Sequence, residues 1–303
     1  MIVSAVESIV TGGPAGGCRA VDLRTWGGLD VRLLPDRALD CGAAWFAGVP
    51  LAWISEVGES APLVGRPQGE DWRTVWGGGL VTTCGLRNVG AASEGHGLHG
   101  EISQRPARFT VQRDDDELTV SGVVTEGPFV LTRRWRVRAH TGTVTLRDIC
   151  LNRGDEPEPA PFLYHVNLGA PLWSPDARVT LQSERVAPRD TDAAAFADVW
   201  NVAPEEATGP ERVYEHERPA GEAVVARPGL EVRVRWSLET LPRVWQWVDP
   251  SLGALGIEPA NCSVLGRAHD RAEGRLPVLE PGEERETWVE IQASSTSKET
   301  SSA

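Results

Sequence analysis

Between residues 230 and 236 apolar and charged side chains alternate without a break. Leu230, Val232, Val234 and Trp236 fall on one face, and Glu231, Arg233 and Arg235 on the other. A period of two belongs to a β-strand with one face in a core and the other in water. Short stretches that alternate or are rich in β-branched residues recur at 21–26 (VDLRTW), 30–35 (DVRLLP), 107–112 (ARFTVQ), 117–126 (ELTVSGVVTE) and 129–138 (FVLTRRWRVR). Others follow at 143–151 (TVTLRDICL), 177–182 (ARVTLQ), 223–228 (AVVARP) and 287–293 (TWVEIQA). Clusters of Gly, Pro, Asp and Asn separate them, with 32 Gly and 22 Pro in all, and many short strands divided by turn signals predict an all-β sandwich or barrel.

Helical periodicity is scarce, and the best short helix candidate is DTDAAAFADVW (190–200). The acidic run RDDDEL (113–118) lies between two strand patterns and predicts a hairpin turn. No internal repeat of fixed period and no linker divides the chain. One large β domain over 1–293 is therefore expected, with 294–303 (SSTSKETSSA) as a compositionally disordered tail.

Composition narrows the function. A chain of 303 residues, 41% hydrophobic and 24% charged, can bury a large core as a globular protein. A net charge of −13 argues against nucleic acid, which needs clustered cationic side chains. No apolar run of about 18 residues is long enough to predict a membrane span. The N-terminal stretch has neither a basic segment nor an apolar core of signal-peptide length, and the five cysteines are odd in number and lack CxxC spacing. Both point to a reducing compartment, with the cytoplasm as the expected location. The basic residues are almost all arginine. The only lysine is Lys298, so neither Schiff-base nor P-loop chemistry has its lysine in the body of the chain.

Candidate chemistry lies in three segments. SEGHGLHGEI (93–102) carries His96 and His99 among glycines that oppose a helix. In extended chain a spacing of three sends the two rings to opposite faces, so the pair is not expected to act together. FLYHVNLGAPLW (162–173) puts His165 in an apolar, strand-like run two residues before Asn167. LGALGIEPANC (252–262) puts Glu258 among small apolar residues, either exposed at a strand end or held in a pocket that raises its pKa. Two histidines and a glutamate can bind zinc, divide acid and base roles, or be unrelated. The chain lacks the HxH or HxxxH spacing that usually accompanies zinc.

The order of these segments resembles the galactose mutarotase-like superfamily, and within it the aldose 1-epimerase-like DUF4432 family. The matching stretches are LLPDRALDCGAAWFAGVPLAW (33–53), WGGGLVTTCGLRNVG (76–90), GLHGEISQRPAR (97–108), LYHVNLGAPL (163–172) and LGIEPANC (255–262), with LEPGEERETWVEI (279–291) as the closing strand. The resemblance implies a galactose mutarotase-like β-supersandwich of large antiparallel sheets whose concave face holds a monosaccharide or sugar derivative. It implies a cofactor-independent sugar 1-epimerase (mutarotase) with no metal, in which Glu258 is the base, His165 the acid and His99 a hydrogen-bond partner of the sugar. His96 has no counterpart in the pattern and falls to a rim contact. Arg37 and Asp40 read either as a structural ion pair or as substrate contacts. Arg87, Asn88, Asn167, Trp173 and Gln246 are further candidates for binding sugar. The family's H-x-Y-F-N-L run is shortened here to HVNL, so fold transfers better than substrate. The alternatives are a lyase or isomerase on a keto-sugar or uronic derivative that uses the same three residues, or a non-catalytic carbohydrate-binding protein. The sequence leaves the oligomeric state open, a homodimer included.

Overall fold

The computed structural model describes residues 2–296. All ten stretches with a strand pattern form strands, and eight of them make up the whole of one antiparallel sheet. Its spatial order is Arg178–Leu181, Glu222–Arg227, Leu230–Trp236, Glu284–Ser294, Thr143–Asn152, Phe129–Arg138, Glu117–Glu126 and Arg108–Arg113. Residues 114–116 of the acidic run join the last two of these as a hairpin. Along Leu230–Trp236 burial alternates in step with the sequence, because one face of this sheet looks to the core and the other to solvent.

A second sheet of eleven strands packs against the first. Its centre runs in the order Asp40–Phe46, Val81–Gly85, Phe162–Leu168, Ala254–Ala260, Arg243–Asp249 and Arg212–Glu217. The core lies between the sheets, where Leu33, Val81, Tyr164, Val166 and Ile257 of the larger meet Leu131, Trp135, Leu146, Val234 and Ile291 of the smaller. The central strands of the larger sheet do not alternate. Phe162–Leu168 and Ala254–Ala260 are buried at every position. Loops from 53–79, 86–107 and 261–275 cover the face turned away from the core, where Trp53, Trp72, Leu98, Leu163, Trp245 and Trp247 form a second apolar cluster.

Helical content is slight. Of the candidate at 190–200, Thr191–Ala194 is one α-helical turn, capped where the Ala193 N–H donates to Asp190 Oδ1 at 2.9 Å. All five cysteines are free. At the C-terminal end the last strand runs to Ser294, and the Gly229 N–H donates to Thr296 Oγ1 at 3.0 Å. The structured chain thus continues past 293, and the remainder of the expected tail, 297–303, lies outside the described residues.

Candidate active site

Strand register decides which side chains share the covered face of the larger sheet. Val166 pairs with Ile257 and Leu163 with Ala260, a register that sets His165 across from Glu258. On the other side of the same strand Trp245 pairs with Glu258 and Trp247 with Gly256. Successive side chains alternate faces. His165, Glu258, Trp245 and Trp247 therefore project together, away from the inter-sheet core that holds Tyr164, Val166 and Ile257. Gly256 makes the room. A Cβ there would lie 2.6 Å from Glu258 Oε1, 3.1 Å from His165 Cε1 and 3.2 Å from Trp247 Cβ.

His99 reaches the same place from a loop. Its backbone takes a φ of 57°, which costs a side-chain-bearing residue about 1–2 kcal/mol and so has to be held by its surroundings. The hold is visible. His99 N–H donates to Gly90 O at 3.0 Å, and its carbonyl accepts from Gly85 N–H at 3.0 Å. Asn88 braces the loop from within, donating to Ala91 O and Gly97 O, each at 2.9 Å, and accepting from Arg267 N–H at 3.1 Å. The Gly90 N–H also points at His99 Nδ1, 3.4 Å away. A neutral imidazole accepting at Nδ1 carries its proton on Nε2, which makes His99 a donor at that atom.

Tryptophans close the walls. Trp72 and Trp76 stack with ring centroids 4.7 Å apart, on and just after the short 3₁₀ turn Asp71–Val75. Trp72 lies 4.6 Å from the His99 ring, and Trp76 lies 5.0 Å from the His165 ring. Trp247 meets the His165 ring edge-on at 5.5 Å. Their indole N–H groups are committed to the protein: Trp72 to Ser103 Oγ at 3.1 Å, Trp76 to Thr82 Oγ1 at 3.2 Å, Trp247 to Glu211 Oε2 at 3.1 Å. The rings therefore offer apolar faces and edges. Together with His99, His165 and Glu258 they line a cavity of about 310 Å³, at the small end of small-molecule pockets. Glu70, Arg73, Arg189 and Glu211 complete the polar part of its lining.

Burial sets the charge state of this cavity. Glu258 is 2% exposed. Its pKa is pushed up to about 8, first by loss of solvation and then by the charge of Glu211, with Arg189 opposing. His99 is pushed down to about 3 by burial and by Arg73, with Glu211 opposing. His165 falls well below the usual imidazole value through burial and the neighbouring His99, with Asn167 opposing. His165 Nε2 lies 3.2 Å from Glu258 Oε1. Among the described residues neither that oxygen nor His165 Nδ1 has a hydrogen-bond partner. Desolvation thus favours a protonated Glu258 beside neutral His165 and His99.

The structure brings His99, His165 and Glu258 together and distributes the other candidates elsewhere. His96 is buried off the cavity, with Nδ1 3.0 Å from Glu101 Oε1 and a contact to Arg66. Arg37 donates to Val75 O at 3.0 Å, and it does not pair with Asp40. The partner of Asp40 is instead Arg133, at 2.8 Å in the inter-sheet core. Arg87 pairs with Glu158 at 3.3 Å. Asn88 braces the His99 loop, and Asn167 does the same for its own strand, donating to Gly79 O at 2.8 Å and His165 O at 3.0 Å. Trp173 packs in the main core. Gln246 points to the core side, donating to Trp200 O at 2.7 Å, with His216 Nε2 at 3.0 Å. VWQWV suggests Gln246 as a sugar contact, but period two puts its neighbour Trp247 on the cavity face instead. Trp72, Arg73, Trp76, Arg189 and Glu211 were missed as well. DWRTVW (71–76) offered a compositional hint, whereas nothing local marks Arg189 or Glu211.

Among the described residues no group of three or more His, Cys, Asp or Glu side chains has a metal-holding arrangement. Among the described residues no helix is long and apolar enough to cross a membrane.

Solved structures share this architecture. A provisionally assigned aldose 1-epimerase from Klebsiella pneumoniae superposes with a TM-score of 0.86 at 18% identity, covering 96% of this chain and 83% of that one. A galactose mutarotase-like protein from Clostridium acetobutylicum gives 0.68 at 14% identity, covering 97% and 99%. A galactose 1-epimerase from Lactobacillus acidophilus gives 0.59 at 12% identity, covering 97% and 98%. At these identities the likeness establishes a galactose mutarotase-like fold. No curated protein matches the chain significantly in sequence. The family model of the domain of unknown function DUF4432 matches residues 15–293, and the chain belongs to that family.

Proposed function

We propose that the protein is a cofactor-independent sugar 1-epimerase that interconverts the anomers of a free aldose or related sugar. One observation carries the reading: His99, His165 and Glu258, from three distant segments, meet in one tryptophan-walled cavity, with His165 Nε2 3.2 Å from Glu258 Oε1. Exchange of anomers needs the O1 proton removed while the ring oxygen receives one. Glu258 takes the O1 proton and His165 gives its proton to the ring oxygen. The C1–O5 bond breaks as the C1 carbonyl forms, the aldehyde turns about C1–C2, and the reverse transfers close the ring on its other face. The reacting form, carboxylate with imidazolium, is a tautomer of the neutral pair that burial favours. A sugar reaches it by hydrogen-bonding the buried atoms, and the His99 Nε2–H stabilises negative charge on the sugar oxygens. The C–H faces of the ring pack on Trp72, Trp76 and Trp247.

The same proton count fixes the pH dependence. Below about pH 8 the dyad keeps its proton and holds both an acid and a base. Above that value Glu258 ionises, the proton is lost, and no acid remains for the ring oxygen. kcat/KM is expected to be flat from pH 6 to 7.5 and to fall toward a tenfold loss per unit above about 8. NMR saturation transfer between anomers, corrected for the uncatalysed rate, reads this directly. A profile that rises steadily through pH 9 contradicts the one-proton dyad.

Gly256→Ala tests the geometry. The added methyl would lie 2.6 Å from the Glu258 carboxyl oxygen, so that carboxyl end has to move from its place beside His165. A shift on the order of 1 Å costs about 10²-fold in kcat. KM is expected to move far less, because Trp72 and Trp76 belong to other segments. Unchanged kcat in a folded variant would remove the dyad from the mechanism.

A further inference from the structure

Glu211 belongs to the cavity wall and has no part in the proton transfers described above. It precedes the strand Arg212–Glu217, and both its oxygens are fixed from behind. Arg189 Nη2 donates to Oε1 at 2.9 Å, and the Trp247 indole donates to Oε2 at 3.1 Å. Arg189 is itself held on its other side, since its Nε donates to Asp190 Oδ2 at 2.7 Å and Asp190 also caps the following helical turn. The guanidinium thus bridges two carboxylates through Nε and Nη2 and works as a strut that orients Glu211. A carboxylate offers about four acceptor positions, so two remain on Glu211 after these bonds. Burial pushes its pKa up, but the Arg189 hydrogen bond and charge, the indole and Arg73 outweigh this and leave it below the usual carboxylate range. It stays an anion beside the neutral dyad. The other cation of the lining, Arg73, faces Glu70 at 3.0 Å. Among the described lining residues no cation lacks a carboxylate partner.

We propose that Glu211 is the specificity-determining acceptor of this cavity, selecting neutral polyhydroxylated sugars and turning away phosphorylated or carboxylated ones. A neutral sugar donates one or two hydroxyls to its fixed oxygens. An anionic group meets the partly exposed Glu211 as a like charge, and the nearby cations Arg73 and Arg189 already face carboxylates that offset their charge. This rests on the reading of the cavity as a sugar site, and it is testable apart from turnover.

The experiment measures binding by calorimetry, and by quenching of the cavity tryptophans, for galactose, glucose and mannose against the matching 6-phosphates and uronates. Wild type, Glu211→Gln and Glu211→Asp are compared, and saturation transfer is run in parallel. Neutral sugars are expected to bind wild type at least about tenfold more tightly than their anionic counterparts. Glu211→Gln weakens neutral sugars about tenfold and narrows the gap, because it removes both an acceptor and the repelling charge. Glu211→Asp keeps the charge but shortens the reach. It weakens neutral sugars and still rejects anions, a result that a general loss of structure would not give. Anionic sugars binding wild type as tightly as neutral ones, or an unchanged ratio in Glu211→Gln, overturns the proposal. Binding of neutral sugars without anomeric exchange removes the epimerase reading and leaves this selectivity standing. Exchange of anionic sugars in preference to neutral ones does the reverse.

Discussion

Glu258→Gln is expected to lower kcat/KM for anomeric exchange by about 10²–10⁴-fold, the span associated with a positioned proton-transfer group. The substitution keeps size and shape, so the cavity walls and the Trp245 and Trp247 contacts survive. What disappears is the only group of the dyad that accepts the O1 proton as a carboxylate. A second readout is independent of any substrate. The folded pKa of Glu258, about 8, stands above the unfolded value of 4.5. Folded wild type therefore binds a proton that the unfolded chain has already released between those values, and this contribution to stability is lost as pH rises through the window. Glutamine does not titrate. Urea melts should show the variant gaining on wild type from pH 5 to pH 8.5, with the difference levelling off above that. A variant with full activity, or a stability difference flat in pH, would take Glu258 out of its buried catalytic place.

Arg133→Met is expected to destabilise the fold by about 3–5 kcal/mol. The guanidinium is fully buried between the sheets. It reaches Asp40 Oδ1 at 2.8 Å, Asp148 Oδ2 at 2.7 Å, Thr83 Oγ1 at 2.8 Å and Ala38 O at 2.6 Å. Removing it leaves two buried aspartates with no cation between them. The effect should carry to the site. Asp148 Oδ2 also accepts from Tyr164 OH at 2.7 Å, and Tyr164 is the residue before His165. Chemical denaturation measures the loss as a lower midpoint, and replacing Asp40 and Asp148 along with Arg133 by apolar residues of similar volume should recover most of it. A single Arg133→Met variant within 1 kcal/mol of wild type would mean the network is not needed to join the sheets.

These two residues also mark what could and could not be read in advance. The alternation that predicts strands is a property of sheets with one wet face, and it is clearest in strands of the smaller sheet such as Leu230–Trp236. Glu258 and His165 lie on strands buried on both faces, one by the core and one by the loops over the cavity. Period two is erased there, and those strands look like short apolar runs. His99, His165 and Glu258 were picked out by residue type and by the resemblance to a known family, and register then set two of them side by side. From their nearness in sequence Arg37 and Asp40 read either as an ion pair with each other or as substrate contacts. Only the packed sheets reveal that Asp40 belongs with Arg133, some ninety positions away.

By itself, then, the sequence determined the all-β architecture, the one-sided strands and the lack of lysine before Lys298, which follow from local periodicity and composition. It pointed to three polar residues of the cavity through the resemblance to a known family. The tertiary structure alone decided the rest: which histidine meets a carboxylate, that His99 is held at a positive φ with its proton on Nε2, that Glu258 is buried enough to stay protonated near neutral pH, and that Glu211 and Arg189 line the same wall. Each is a matter of desolvation or of contact between segments far apart in sequence. Neither depends on what stands beside a residue in the chain, so no local pattern records it.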